Sequence, residues 1–265
     1  MSSDLEREKA MTTTAEKRTA FRKLHESGFF VLPNAWDAGS AARLTKLGFK
    51  AIASTSSGAA WGAGRDDGEL GLEATLANLR TLVAATPLPV NADFENGFAD
   101  DPKDVAVNVA RALDTGVAAL SIEDWSGSFM YEQGLAVERI AAARAAIDAV
   151  DPSAMLVGRN ENYQVPDMPV SESIARAVAY AEAGADCLFV PLVLDPGAVA
   201  ELVAAVAPKP VNVVVHDYDD SIQRLAAIGV RRCSVGGSLA KRAWAAFDAA
   251  ADTLRRCEAS ASRSA

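Results

Sequence analysis

Four times along this chain an alanine- or leucine-rich stretch turns on a glycine and enters a short apolar run: LTKLGFKAI, ALDTGVAAL, YAEAGADCL and LAAIGVRRC. Gly48, Gly116 and Gly184 stand 68 residues apart (48 to 116, 116 to 184). That interval equals two helix-strand units of roughly 34 residues, the size a closed α/β barrel uses. A helix placed between successive apolar strands is what a parallel sheet requires, because parallel neighbours need a long crossover.

Eight strands are predicted: Phe29–Leu32, Ala51–Ser54, Pro89–Asp93, Ala119–Glu123, Met155–Arg159, Cys187–Pro191, Val211–His216 and Arg232–Val235. Acidic caps open several of the helices between them, at Asp37, at Asp100-Asp101-Pro102, at Asp195-Pro196 and at Asp219-Asp220-Ser221. With 265 residues, half of them apolar, the chain suits a single (β/α)8 TIM-type barrel. An open doubly wound sheet is the alternative. The barrel is assigned to residues 21–258. The polar stretches 1–20 and 259–265 lack a periodic face and are expected to be disordered. The last helix, predicted from Ser238 to about Arg256, carries Trp244 and Phe247 and is suited to packing on a partner subunit.

A net charge of -9 without a basic stripe argues against nucleic acid or an anionic membrane surface as partner. No run approaches the ~20 apolar residues of a membrane span, and the first residues do not read as a signal peptide, so a cytoplasmic location is expected. Cys187, Cys233 and Cys257 lie too far apart for a metal knuckle and read as ordinary thiols.

Barrel enzymes place their chemistry at the C-terminal ends of the strands, so charges where apolar strands run out are the candidates. The third strand ends in PVNADFENG, with Asp93 and Glu95 two residues apart and therefore expected on one side; the fourth ends in Glu123 and Asp124; the fifth in Arg159 and Glu161. Asp66 and Asp67 sit in the loop WGAGRDDGE. Converging carboxylates with few histidines suit a hard, oxygen-seeking cation, Mg2+ with Mn2+ as an alternative, rather than zinc.

Of the two histidines, His25 is expected at the surface, and His216 either lines the pocket or is an ordinary strand end. Arg159 requires an anionic partner, which a substrate carboxylate, a developing enolate, Glu161 or Glu123 would supply. The stretch Ser54 to Gly58 offers hydroxyls and approachable N–H groups to an oxyanion. Gly236-Gly237-Ser238 reads either as a phosphate cradle or as a plain turn. Asp100, Asp101, Asp195, Asp219 and Asp220 read as caps or solvated charges.

From Gly28 to about Leu254 the chain resembles the isocitrate lyase/phosphoenolpyruvate mutase superfamily. Asp93-Phe94-Glu95 is similar to its D-x-[DE] motif, Ile122-Glu123-Asp124 to its [IL]-E-D, and Arg159-Asn160-Glu161 to its R-x-[DE]. The resemblance implies that Asp93 binds Mg2+ directly, that Asp67, Glu95 and Glu123 act largely through waters, and that Arg159 contacts the substrate. It also implies that Ser56, Ser57 and Gly58 hold the substrate's carboxylate or keto oxygen. The chemistry implied is cleavage of a C–C bond in a small 2-oxo or 2-hydroxy dicarboxylate through a metal-stabilised enolate, with C–P chemistry as the alternative. Members are commonly tetramers that exchange their last helix, so a homo-oligomer, dimer or tetramer, is expected.

Two departures narrow the substrate. Where isocitrate and methylisocitrate lyases carry a cysteine in K-[KR]-C-G-H, this chain reads WSGSFMYEQG, and the K-T-N-like sequence of the phosphonomutases is also missing. Tyr131 and Glu132 are the acid/base candidates left in that loop. Two readings from other classes stay open: a sugar-phosphate barrel anchored at Gly236-Gly237 that needs no metal, and a barrel that senses an oxo acid without turning it over.

Overall fold

A computed structural model describes residues 13–191, 195–216 and 218–261. Within it the chain runs α1 (Thr14–Glu26), β1 (Phe30–Leu32), β2 (Asn34–Ala35), α2 (Ala38–Lys46), β3 (Ile52–Ser54), α3 (Ser56–Gly62), α4 (Leu72–Ala85), β4 (Val90–Asp93), α5 (Pro102–Leu113) and β5 (Ala119–Glu123). It continues through α6 (Gln133–Val150), β6 (Met155–Arg159), α7 (Val170–Glu182), β7 (Cys187–Phe189), α8 (Pro196–Val206), β8 (Val211–Val214), α9 (Ser221–Ala227), β9 (Arg232–Ser234) and α10 (Ser238–Ala261).

Every strand pairing is parallel, in the order β1-β9-β8-β7-β6-β5-β4-β3-β2. The two ends of that order are halves of one barrel strand interrupted at Pro33, so the sheet closes on itself as the expected (β/α)8 barrel. Proline lacks the N–H that continuous pairing would use. Its carbonyl still accepts from the Ala53 amide at 2.9 Å. Strands β7 and β8 stop at Phe189 and Val214, short of the predicted Pro191 and His216.

The helices hold the sheet through one apolar stripe each. In α4, Leu76, Leu79 and Leu82 recur at helical spacing and are fully buried. Each such leucine contributes about 1.5–3 kcal/mol on burial. No helix among the described residues is long and apolar enough to cross a membrane.

The N-terminal end of the barrel corrects an expectation. Residues 14–20, read as disordered, belong to α1, whose start is fixed by a reciprocal capping box between Thr13 and Glu16; residues 1–12 of that expectation lie outside the described residues. Charged side chains fasten α1: Lys17 Nζ donates to the Thr86 carbonyl (2.9 Å), Arg18 to the Val117 and Leu113 carbonyls (3.1 and 2.9 Å), and Arg22 to the Ser153 and Ala154 carbonyls (both 3.0 Å). Phe21 is fully buried and packs with Phe30, Leu32 and Met155.

His25 is likewise buried rather than at the surface, because it follows Phe21 by one helical turn. At the other end, α10 reaches Ala261, so residues 259–261 are helical where disorder was expected, and 262–265 lie outside the described residues.

Candidate active site

At the mouth of the barrel Asp93 ends β4. Its Oδ2 accepts from the Ser56 amide (2.9 Å) and Ser56 Oγ (2.8 Å), and its Oδ1 accepts from Arg159 Nη1 (2.9 Å). The N-cap Thr55, accepting from Gly58 N, starts α3 so that the Ser56 amide faces this carboxylate. Arg159 ends β6, two strands away. Its Nη1 lies 3.3 Å from Glu123 Oε2, its Nε bonds Glu161, and the guanidinium stands 5.1 Å from the centre of the Phe189 ring. Three carboxylates therefore surround this cation.

The acids are crowded enough to resist ionisation. Burial pushes the Glu95 carboxyl up to about 7, reinforced by Asp93 and Asp67 and opposed by Arg159. Burial also holds Glu123 well above the ordinary range, against the pull of Arg159. Asp67, on the exposed rim, is raised by partial desolvation and then by Asp93. Glu95 Oε1 is buried with no hydrogen-bond partner among the described residues.

An excess of buried negative charge and an orphaned oxygen fit a hard cation. No three acidic, histidine or cysteine side chains among the described residues converge as a ready-made cage. The donor set therefore fits an ion held by few direct protein ligands, with water between it and the other acids.

A cavity of about 320 Å3 opens here, with Ser56, Ser57, Asp67, Asp93, Arg159 and His216 in its wall. Glu95 and Glu123 do not line the cavity but adjoin it: Glu123 ends β5 beside Arg159, and Glu95, which couples to Asp93 and Asp67, lies past the end of β4 where the backbone turns left-handed (φ 47°), so strand alternation does not place it. Gly58 is buried inside α3 and outside the wall. A Cβ there would come within 2.7 Å of Thr55 Cγ2 and 3.0 Å of Trp36 Cβ, so the position serves packing. Asp66 is exposed and outside the wall.

The loop after β5 brings no acid or base to the cavity. Tyr131 is buried, donating to Asp100 and accepting from Asn96, and Glu132 is exposed at the start of α6. Asp124 is 2% exposed and accepts from the Glu161 amide (2.8 Å), Asn160 Nδ2 (2.7 Å), Tyr180 and Arg176, which makes it the anchor of the β6 end.

The Gly236-Gly237 turn is also occupied, since Asn34 Oδ1 accepts the Val235 and Gly236 amides at 2.9 Å each. A phosphate would have to displace that side chain. Gly237 permits close approach, because a Cβ there would lie 2.7 Å from Ser57 Oγ and 2.8 Å from Trp61.

Asn34, Trp61 and Lys241 also line the cavity, as do Asn91, Asn212 and Arg232 deeper in the barrel, although none of them is a charge at the C-terminal end of a strand. The available signal was a polar residue inside an apolar strand, at Asn91 and Asn212; nothing comparable marks Trp61 and Lys241, which lie in helices.

The sequence profile of the family described as phosphoenolpyruvate phosphomutase matches residues 21–255. An uncharacterized protein of Mycobacterium tuberculosis is 36% identical over 221 residues, covering 82% of this chain and 81% of that one. The 2,3-dimethylmalate lyase of Eubacterium barkeri is 31% identical over 193 residues, covering 68% of this chain and 63% of the enzyme's length. A crystal structure from Burkholderia cenocepacia J2315, with a provisional lyase/mutase assignment, superposes with a TM-score of 0.87 at 43% identity, covering 92% of this chain and 89% of that one.

Proposed function

This chain belongs to the phosphoenolpyruvate phosphomutase family, within the isocitrate lyase/phosphoenolpyruvate mutase superfamily of lyases and mutases, and on that premise we propose that it is a Mg2+-dependent C–C lyase. Its substrate is a small 2-oxo or 2-hydroxy dicarboxylate, cleaved in an aldol manner or decarboxylated through an enolate. The observation that carries this reading is Arg159 held among Asp93, Glu123 and Glu161 at the rim of the cavity, beside Glu95 and Glu123, whose carboxyls burial raises above their ordinary range. The similarity to 2,3-dimethylmalate lyase supports C–C over C–P chemistry.

Asp93, with Asp67, Glu95 and Glu123 acting through waters, would hold the ion. Mg2+, when bound, supplies Lewis-acid stabilisation of negative charge developing on substrate oxygens. Arg159 contacts the substrate's anionic group and stabilises the enolate from the opposite sign of charge. Ser57 would orient the bound acid from the cavity wall; Ser56, whose amide and hydroxyl both donate to Asp93, would reach the acid only once the ion takes that carboxylate; and His216 lines its approach. Glu95, with its carboxyl near 7, is poised to hold or release a proton at neutral pH. Glu123 keeps Arg159 in register with the substrate.

We place the enzyme in the cytoplasm as a homo-oligomer, dimer or tetramer. The exposed Trp244, Phe247 and Leu254 of α10 support a subunit contact. Asp93→Ala tests the reading: it should abolish metal-dependent turnover while circular dichroism stays native.

A further inference from the structure

The cavity does not end at the acidic mouth. It runs down into the barrel, where Asn91, Asn212 and Ser234 stand in place of the branched apolar side chains that commonly fill a barrel interior. Arg232, the first residue of β9, forms part of this deeper wall and is 2% exposed.

Its guanidinium has five N–H donors. Nε donates to Asn212 Oδ1 at 2.9 Å, and Nη1 serves Asn91 Oδ1 and His25 Nε2, both at 3.2 Å. All three acceptors are neutral. His25 Nδ1 lies 2.8 Å from the Phe21 carbonyl, to which it donates its proton, leaving Nε2 as a lone pair toward Arg232. Burial and the arginine's own charge hold that imidazole down to about 3, so it remains uncharged.

The neighbouring Cys187 thiol is pushed up by burial and is also neutral. No carboxylate among the described residues lies within ion-pair distance of Arg232, and the two N–H groups on Nη2 have no acceptor there. Arg159, by contrast, has three carboxylates around it. A buried cation balanced only by neutral dipoles and the face of Phe21, whose ring centre lies 5.9 Å from the guanidinium, is disfavoured, and one that borders a cavity would be satisfied by an anion entering it.

We propose that Arg232 is the floor of a second, interior anion site that takes one compact monoanion of the carboxylate or halide type. The mouth, rich in acids, is built for a cation; the floor is built for the opposite charge. The occupant is either a free small anion or the far carboxylate of a substrate that reaches past Arg159, and only the second source rests on the lyase reading.

The test needs neither metal nor turnover. Crystals of the metal-free protein soaked in sodium bromide should show an anomalous peak at hydrogen-bonding distance from Arg232. Titration with formate at fixed ionic strength should raise the Tm progressively in the wild-type protein and leave Arg232→Gln unchanged. Soaking malate after bromide separates the sources: displacement of the interior bromide assigns the site to a substrate carboxylate, and its retention assigns it to a free anion. Bromide confined to the mouth or the surface would overturn the proposal, as would an equal formate response in both proteins. If Arg232→Gln fails to fold, the bromide soak of the wild-type protein decides alone.

Discussion

Arg159 Nη1 lies 2.9 Å from Asp93 Oδ1, so the residue assigned to the substrate already holds the carboxylate assigned to the ion. The guanidinium would therefore compete with a cation for Asp93, and an ion bound there would free Arg159 for the substrate. This coupling predicts effects of opposite sign. Arg159→Met should bind Mg2+ several-fold more tightly by calorimetry and lose turnover by about 10^2–10^3, the scale for removing one charge-stabilising donor. Weaker Mg2+ binding in that variant would contradict the competition.

On the proposed reading, Glu95 would make ion binding depend on pH. Its carboxyl is raised from the ordinary range to about 7, so the folded protein retains a proton that the unfolded chain has lost. The resulting stability is full below the unfolded value and fades as pH rises through about 7. A bound ion would displace the same proton, so Mg2+ affinity should climb over that interval. Calorimetry at about pH 5.5 and about pH 8 should show the climb in the wild-type protein and flatten it in Glu95→Gln.

His25 gives a separate, acid-side effect. Burial, then the charge of Arg232, lowers its pKa to about 3, so the unfolded chain takes up a proton first as pH falls below the ordinary histidine value. Stability should drop between about pH 6.5 and about pH 3 with a slope approaching 1.4 kcal/mol per pH unit from this group. Urea unfolding across that range should show a shallower slope in His25→Gln.

Tyr131 does not line the cavity; it is buried and bonds Asp100 and Asn96, which predicts a structural role. Tyr131→Phe should cost about 1 kcal/mol in denaturant unfolding and leave kcat within about two-fold. Collapse of kcat with unchanged stability would return it to the active site.

The barrel was legible because its repeat is geometric as well as textual: Gly48, Gly116 and Gly184 all adopt positive φ (84°, 91° and 109°) where a helix hands over to a strand. Asp93, Glu123 and Arg159 were legible because a charge at the end of a buried apolar strand needs a reason. Helix α1 was not, since it is fastened by lysine and arginine to backbone carbonyls rather than by an apolar stripe. Glu95 couples to Asp93, Asp67 and Arg159, but not through strand alternation, which stops at Asp93. The Arg232–His25 contact joins residues 207 positions apart, and nothing local in either segment announces it.

The most direct measurement is NMR-monitored turnover of oxaloacetate, substituted malates, methylisocitrate, phosphonopyruvate and phosphoenolpyruvate, with and without Mg2+, in the wild-type protein and in Asp93→Ala. The account predicts that a dicarboxylate loses a C–C bond only when Mg2+ is present and only in the wild-type protein. Turnover confined to the phosphorus compounds, or dicarboxylate cleavage that survives both chelation and Asp93→Ala, would contradict it.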